Sequence, residues 1–331
     1  MTDHAPLLEI RDLEVTYRVR GGRDVRAVAG ASLSVGEGQI VGLVGESGCG
    51  KSSLARAAVG LVPRAAGDVL FEGKRLPELG RRARTRWESR VQMVFQNPYA
   101  SLNPRRTIGA QLADGLTLAG VDAAVRRTRA AELLEEVGIA PAAAGRYPHQ
   151  FSGGQRQRIA IARALAADPA VIVLDEPLSS LDASAQAQIA NLLVGLAHRR
   201  RLGLLLISHD LGIVHHVADA VSVMYLGVIV ESGATRELWR APQHPYTEAL
   251  IGSIPHADGA GTLPQALPGE VPDPARPPSG CRFHPRCPYA FARCPTEPPP
   301  LYPVGTGRES ACFLRDPANA AVAVPTTGGR S

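Results

Sequence analysis

The run G-E-S-G-C-G-K-S at residues 45–52 constrains this chain more than any other feature, because it fits the pattern G-x-x-x-x-G-K-S. It follows the apolar run 39–44 and precedes the stretch 53–59, whose composition predicts a helix. A strand, a glycine-rich turn and a helix form the context in which this pattern holds phosphate. The alternative is a glycine-rich turn with a chance lysine, which does not explain a complete motif in its required place. The sequence therefore predicts a site for a nucleoside triphosphate.

The chemistry of this phosphate loop explains its spacing. Glycines let backbone N–H groups curl around a phosphate chain, and the N-terminus of the following helix adds a positive dipole. Lys51 is placed to reach the β- and γ-phosphates, and the hydroxyl of Ser52 is placed to ligate Mg²⁺. The candidate nucleotide-binding residues of the loop are Gly45, Ser47, Gly48, Cys49, Gly50, Lys51, Ser52 and Ser53.

Two adjacent carboxylates follow a second predicted strand. The apolar run 170–174 is typical of a parallel strand buried on both faces, and Asp175 and Glu176 come directly after it. Open α/β sheets bind ligands at the carboxyl edge of such strands. Asp175 is therefore a candidate Mg²⁺ ligand, and Glu176 is a candidate base that accepts a proton from an attacking water.

Two polar side chains lie at the carboxyl ends of other predicted strands. Gln96 ends the strand 91–96, from which its amide can reach Mg²⁺ or a water near the γ-phosphate; a simple strand cap is the alternative. His209 follows the strand 202–208 at the same sheet edge as Asp175. A lone histidine is usually structural, but this placement favours a partner for the γ-phosphate.

A second glycine turn, S-G-G-Q at residues 152–155, leads into a predicted helix over 159–165. Such a turn at a helix N-terminus is another place where phosphate can be held. One chain has little need of two such places, unless the second serves a nucleotide held by a partner chain. The candidate residues of this turn are Ser152, Gly153, Gly154 and Gln155.

Periodicity predicts the elements around these motifs. The runs 8–17 and 27–35 alternate apolar and polar residues, which predicts a β-hairpin beside the nucleotide-binding strand. Tyr17 ends the first of these strands and can stack on adenine, although a strand tyrosine is more often half-buried packing. Residues 106–138 show helical spacing and predict an inserted helical subdomain. Asp182 is a good N-cap for the helix after it and a candidate nucleotide-binding residue.

Composition is that of a soluble globular protein, with 45% hydrophobic and 20% charged residues. The longest apolar stretches fall short of the ~20 residues that a membrane-spanning helix needs, and we find no secretory signal. The net charge of +5 is compatible with an anionic partner such as nucleic acid or a lipid surface. The basic clusters at 81–86 and 198–201 carry almost no aromatic residues to stack on bases, so we expect no nucleic-acid partner.

The C-terminal segment differs from the rest of the chain. Most of the 27 prolines lie after residue 241, and helix and strand periodicity fades, which alone would indicate a disordered tail. Clustered cysteines in a chain without a secretion signal favour a metal over disulfides, although the C-x₂-C pairs typical of structural zinc are missing here. Four thiolates can also hold an iron–sulfur cluster. The four candidate ligands are Cys281, Cys287, Cys294 and Cys312.

Together these motifs resemble the ATPase subunit of ABC transporters, from about residue 7 to residue 250. Phe151, where leucine is more usual, and Cys49, where serine is common, are minor departures. The matching motifs appear in the family's order: the phosphate loop 45–52, Gln96 of the Q-loop, the signature turn 152–155, the Walker B carboxylates Asp175 and Glu176, the D-loop 180–182, and His209 of the switch.

The resemblance implies an α/β fold: a P-loop core with an antiparallel β edge and a helical subdomain, plus a small cysteine-rich C-terminal extension. It implies that two such subunits stack head to tail, with each ATP between Lys51 of one subunit and the signature turn 152–155 of the other. It also implies that Tyr17 stacks on adenine, that Glu176 activates water, and that His209 senses the γ-phosphate.

Further sequence runs resemble one subgroup of this family in particular. Residues 95–104, 147–149 and 244–247 look like those of oligopeptide, dipeptide and nickel importers. Within that group, 96–104 and 178–188 look most like the second of the two paired ATPase subunits. In these importers four cysteines of the extension are associated with a [4Fe–4S] cluster, which we favour over zinc and over reduced free thiols.

The resemblance also implies a domain division and a function. The ATP-binding domain is expected at 7–252, its helical subdomain at about 97–158, and the extension at 253–331. The expected function is ATP hydrolysis that drives peptide import, with ATP and Mg²⁺ as cofactors. Alternatives are a nickel or opine importer, an exporter, an ABC-type ATPase acting on nucleic acid or ribosomes, and a redox-sensing regulator.

The partners follow from the same resemblance. A second ABC ATPase subunit is expected to complete the dimer, as a sister chain rather than a second copy. Two transmembrane permease subunits are expected to couple dimer closure to transport, and an extracytoplasmic peptide-binding protein is expected to deliver cargo to them. The subunit is expected at the cytoplasmic face of the inner membrane, as a peripheral protein.

Overall fold

The computed structural model of the chain describes residues 5–19, 23–80, 84–97, 101–254 and 269–319. These ranges contain two β-sheets, with helices packed against them. None of the described helices is long and apolar enough to cross a membrane. Some predicted features lie partly or wholly outside the described residues: the basic cluster at 81–86, the motif at 95–104, and the parts of the extension at 255–268 and 320–331.

A small antiparallel sheet contains the N-terminal hairpin, in the order β2-β1-β4-β5. Its strands are β1 (Leu8–Tyr17), β2 (Val25–Val35), β4 (Ala66–Phe71) and β5 (Lys74–Arg75). The predicted hairpin is confirmed, since β1 and β2 pair antiparallel along their length. Alternating residues of a strand face opposite sides, and the apolar residues of β1 are buried, with a register shift near Asp12: Leu8, Ile10, Leu13 and Val15.

The large sheet holds the strands that lead to the predicted site residues. Its strands are β3 (Ile40–Val44), β6 (Val91–Val94), β7 (Val171–Asp175), β8 (Gly203–Ile207), β9 (Ala220–Tyr225), β10 (Val228–Ala234), β11 (Tyr302–Gly305) and β12 (Arg308–Ser310). In the sheet they are ordered β11-β12-β10-β9-β3-β8-β7-β6, and the five from β9 to β6 are parallel. Every residue of β3, β7 and β8 is buried, as their continuous apolar sequence requires. The carboxyl ends of these strands therefore meet at one edge.

Eight α-helices are described: α1 (Lys51–Ala58), α2 (Ile108–Leu118), α3 (Arg126–Glu136), α4 (Gly153–Leu165), α5 (Ala183–Arg200), α6 (Leu211–Val217), α7 (Thr235–Arg240) and α8 (Pro245–Gly252). The predicted helical segment is confirmed by α2 and α3, with no strand in the described residues 101–138. The side chain of Thr107 accepts a hydrogen bond from the N–H of Ala110 and so caps α2. Gly138, with φ of +73°, follows the end of α3 in the left-handed conformation that closes many helices.

The described part of the C-terminal extension adds two strands to the edge of the large sheet. β12 pairs with β10, aligning Ser310 with Glu231, and β11 pairs with β12. The carboxylate of Glu231 is completely buried and accepts hydrogen bonds from the Arg308 guanidinium and from the N–H groups of Gln243 and His244. Strands of three and four residues are too short for a readable periodicity, which is why neither of them could be predicted.

Candidate functional site

The phosphate loop connects β3 to α1, as the motif predicts, and two of its glycines are sterically required. A Cβ on Gly45 would lie 2.1 Å from the carbonyl oxygen of Met224, and one on Gly50 would lie 2.1 Å from that of Ala27. Both glycines also have positive φ, at +152° and +108°. The loop therefore threads between β9 and β2, where only glycine fits.

We expect Gly45→Ala to destabilise the fold by at least about 3 kcal/mol, because the added methyl group meets backbone on a buried strand in a strained conformation. Gly252→Ala is the matched control, since nothing lies within 4 Å of the place that its added methyl group would take, and its φ is ordinary. Thermal unfolding of both full-length variants measures the difference. Equal unfolding temperatures would contradict the steric argument.

The amine of Lys51 lies inside the curve of the phosphate loop. Its side chain is 5% exposed, and Nζ donates hydrogen bonds to the carbonyl oxygens of Gly45, at 2.8 Å, and Glu46, at 2.9 Å. The Sγ of Cys49 lies 3.6 Å from the same nitrogen. Burial raises the pKa of this thiol more than the neighbouring ammonium lowers it. Lys51 thus presents a fixed positive charge to whatever the loop holds.

Ser52 and Asp175 meet across the loop. The Ser52 hydroxyl donates a hydrogen bond to Oδ1 of Asp175 at 2.8 Å. Burial raises the pKa of Asp175, and the hydrogen bond from Ser52 opposes that rise. A hydroxyl and a carboxylate side by side suit Mg²⁺, which is usually held by one or two carboxylates together with water and substrate phosphates.

The three predicted catalytic side chains meet at a single oxygen atom. Nε2 of Gln96 donates to Oε2 of Glu176 at 3.0 Å, and Nδ1 of His209 lies 3.3 Å from the same Oε2. Glu176 has φ of +45°, and its N–H donates to the carbonyl oxygen of Ile207 on β8. This left-handed conformation turns the chain at the end of β7. The sheet edge thus brings together residues that are far from Glu176 in the sequence.

The second glycine turn forms the N-terminus of α4. The hydroxyl of Ser152 accepts a hydrogen bond from the N–H of Gln155, whose side chain in turn accepts one from the N–H of Ser152. This reciprocal arrangement is a capping box. The turn lines a depression together with Ser180, Leu181 and Asp182. None of the described residues lining this depression belongs to the phosphate loop of the same chain.

Asp182 and Tyr17 occupy the places that their local sequence predicts. The carboxylate of Asp182 accepts a hydrogen bond from the N–H of Ala185 at 2.9 Å and caps α5. The hydroxyl of Tyr17 donates to Oγ of Ser53 at 3.2 Å, which places its ring, 37% exposed, beside the start of α1. An adenine held next to the phosphate loop would find this ring in reach.

The structure contradicts the predicted [4Fe–4S] cluster. Among the described residues, which include all four tail cysteines, no group of three or more His, Cys, Asp or Glu side chains could hold a metal ion. Cys281, Cys287, Cys294 and Cys312 are free thiols that line a shared small cavity with three phenylalanines.

Burial favours the protonated form of three of these thiols. It raises the pKa of Cys287 to about 11 and that of Cys312 to about 12, and it raises the pKa of Cys281 as well. The same absence of a metal-holding group among the described residues leaves zinc without support as well.

One residue of the site was missed by the sequence reasoning. Arg286, in a turn of 3₁₀-helix at His284–Arg286, donates two hydrogen bonds to the carboxylate of Glu46 in the phosphate loop. The two residues are 240 positions apart, and no local pattern links them. The pair places the C-terminal extension in direct contact with the candidate nucleotide site.

Two family models match the chain. Residues 28–179 match the family described as ABC transporter, and residues 230–294 match the one described as oligopeptide/dipeptide transporter, C-terminal region. The first match contains the phosphate loop, the second glycine turn and the carboxylates at the end of β7. The second match runs from β10 into the described part of the extension.

Individual relatives match nearly the whole chain. A probable peptide ABC transporter ATP-binding protein of Sinorhizobium fredii is 47% identical, over 97% of this chain and 93% of the relative. The oligopeptide transport ATP-binding protein AppF of Bacillus subtilis is 43% identical, over 93% of this chain and 97% of the relative. A dimeric ATP-binding cassette, solved in a post-hydrolysis state with ADP and phosphate, is similar at a TM-score of 0.59 and 25% identity, over 69% of this chain and 99% of that one.

Proposed function

Because this chain belongs to the family of ABC transporter ATP-binding subunits, we propose that it hydrolyses ATP to power the import of oligopeptides or dipeptides through a membrane permease. The observation that carries the proposal is the presence in one chain of the ABC transporter match and the oligopeptide/dipeptide transporter C-terminal region. Relatives named for peptide transport favour peptides over nickel or opines as cargo, and favour transport over work on nucleic acid or ribosomes.

The phosphate loop is the proposed binding site for the triphosphate of ATP. Backbone N–H groups of the loop and the N-terminus of α1 attract the phosphate oxygens, and Lys51 adds a full positive charge. The ring of Tyr17 beside α1 is the proposed platform for adenine. Mg²⁺ would be held by Ser52 and Asp175, with Gln96 near it, and it supplies charge neutralisation of the β- and γ-phosphates.

Hydrolysis depends on Glu176 in this proposal. Its carboxylate accepts a proton from water as the water oxygen bonds to the γ-phosphorus, and the bond between that phosphorus and the bridging oxygen of ADP breaks. Gln96 and His209 contact Oε2 of Glu176 and so fix its direction. Proteins catalyse phosphoryl transfer mainly by positioning the reactants and stabilising the developing charge, and they take little part in it covalently.

A complete ATP site is proposed to need two chains. The second glycine turn has a helix N-terminus that suits phosphate, and the residues described around it lie apart from the chain's own phosphate loop. The dimeric cassette found with ADP and phosphate is consistent with such an assembly. We propose that the turn contacts the γ-phosphate of ATP on a facing ATPase subunit, and that ATP closes this dimer while hydrolysis reopens it.

The facing subunit is proposed to be a sister ATPase chain, and the pair is proposed to act on two transmembrane permease subunits. Cargo would reach the permease from an extracytoplasmic peptide-binding protein. We propose that the subunit works at the cytoplasmic face of the inner membrane, as a peripheral protein. We also propose that the chain divides into an ATP-binding domain at 7–252, with its helical subdomain near 97–158, and an extension at 253–331.

Uptake by cells tests the cargo. We expect cells that lack this subunit to lose uptake of labelled oligopeptides or dipeptides, and to regain it with the wild-type chain but not with Lys51→Ala. Nickel uptake measured in the same cells is the matched control and should stay unchanged. Loss of nickel uptake with peptide uptake intact would contradict peptide import while leaving the ATPase assignment in place.

A further inference from the structure

Glu46, the second residue of the phosphate loop, forms a double hydrogen bond with the C-terminal extension. Nη1 of Arg286 lies 2.7 Å from Oε2 of Glu46, and Nη2 lies 3.0 Å from Oε1. The Arg286 side chain is 4% exposed and that of Glu46 is 16% exposed. Two parallel charge-assisted bonds in a site this sheltered fix the orientation of both groups.

The backbone of Glu46 is held as well. Its N–H donates to the hydroxyl of Tyr246 on α8 at 2.9 Å, and its carbonyl oxygen accepts from Nζ of Lys51 at 2.9 Å. Tyr246 is completely buried. Glu46 is therefore a junction at which α8, the extension and the lysine of the phosphate loop all meet.

An aromatic cluster places Arg286 at this junction. Phe283, 1% exposed, packs against Tyr225 and Tyr246 with ring centroids 5.3 Å apart in each case. The guanidinium of Arg286 also donates to the hydroxyl of Tyr225 at 3.3 Å. Tyr225 is the last residue of β9 and lies beside the phosphate loop. Through Phe283, the turn that carries Arg286 therefore packs against the buried core.

The negative charge of Glu46 bears on how tightly the phosphate loop can bind a nucleotide. A carboxylate within the loop repels a polyphosphate, and a partly buried carboxylate does so with little screening by water. Arg286 cancels that charge. On the proposed function of residues 45–52 as the phosphate site, we propose that Arg286 is a positioning residue that strengthens ATP binding by neutralising Glu46.

The test compares Arg286→Gln with the double variant Glu46→Gln/Arg286→Gln, as full-length chains. The single variant leaves an unpaired carboxylate beside the phosphates, and the dissociation constant for ATP should rise about tenfold, equivalent to about 1.4 kcal/mol. The double variant removes both charges, so no unpaired carboxylate is left beside the phosphates. It should return the dissociation constant to within about threefold of wild type, about 0.7 kcal/mol.

Two other variants separate this effect from general damage. Arg200→Gln breaks a double hydrogen bond to Glu136, between α5 and α3, that is also partly buried. Arg308→Gln removes the cationic partner of buried Glu231 and loosens the extension without touching Glu46. We expect both to lower the unfolding temperature and to leave ATP affinity within about twofold of wild type.

ATP binding is measured by equilibrium titration with a fluorescent ATP analogue, and folding of each variant by thermal unfolding. Weak binding by Arg286→Gln that recovers in the double variant supports the proposal. Unchanged affinity in Arg286→Gln, failure of the double variant to recover, or an equal loss in Arg308→Gln would overturn it. Absence of ATP binding by the wild-type chain would instead contradict the proposed function itself, so the two failures are distinct.

Discussion

Glu176→Gln is expected to lower ATP turnover by about 10²- to 10⁴-fold, the range found for general-base catalysis. Glutamine keeps the size of the side chain and can still contact Gln96 and His209, but it cannot accept a proton from water. ATP binding should remain within about twofold of wild type, because the phosphate loop is untouched. Closed dimers should accumulate with ATP, since hydrolysis is the step that reopens them.

Phosphate release measures turnover, and equilibrium titration measures ATP binding. Size analysis of this chain mixed with the sister ATPase chain, with ATP and Mg²⁺, reports the closed dimer. Glu237→Gln is the matched control, because Glu237 is a surface residue paired with Arg240. It should behave as wild type. Unchanged turnover in Glu176→Gln would refute the assignment of the base, and loss of ATP binding would show that the carboxylate has a structural role.

Lys51→Ala is expected to weaken ATP binding by about 100-fold, equivalent to about 3 kcal/mol, the upper range for hydrogen bonds to a charged group. The side chain is almost fully buried, and its ammonium also holds the carbonyl oxygens of Gly45 and Glu46 inside the loop. The variant therefore loses both the charge that faces the phosphates and part of the loop's own hydrogen bonding.

Lys74→Ala provides the control for Lys51→Ala, because Lys74 lies exposed on β5, away from the loop. Its affinity for ATP should equal that of wild type. Thermal unfolding checks that both variants fold. A folded Lys51→Ala chain with wild-type affinity would contradict the location of the phosphate site.

Local chemistry made much of the site predictable. The phosphate loop needs glycines at fixed places, and the structure shows backbone carbonyls 2.1 Å from where side chains on Gly45 and Gly50 would begin. A parallel strand buried on both faces is apolar along its length, so the two carboxylates that follow the apolar run 170–174, Asp175 and Glu176, were expected at its carboxyl end, at the sheet edge. Helix caps such as Asp182 involve residues three positions apart, within reach of sequence reasoning.

Contacts between distant segments were not predictable in this way. The pair of Glu46 and Arg286 depends on the extension folding back over β9, and the pairing of β12 with β10 depends on strands of a few residues. Neither has a periodic or motif signal. Tyr246 belongs to the run 244–247 that resembles peptide importers, but nothing in that run indicates that its hydroxyl accepts a hydrogen bond from the phosphate loop.

For the cysteines the sequence interpretation went too far, because it predicted a [4Fe–4S] cluster that the structure contradicts. Their clustering correctly indicated that they come together, because all four line one cavity. The sequence does not reveal the environment of a thiol, however, and here burial among aromatic rings favours the protonated form of Cys287 and Cys312. The cavity is then an apolar part of the packing that holds the extension together.

The most direct test of ATP-driven import is peptide uptake into vesicles that contain the permease and both ATPase subunits, measured together with phosphate release. We expect labelled peptide to accumulate only when ATP and Mg²⁺ are on the side of the ATPase subunits, and both signals to collapse when this subunit carries Glu176→Gln. Peptide accumulation that persists with Glu176→Gln, or that proceeds without ATP, would contradict the conclusion that ATP hydrolysis by this chain powers import.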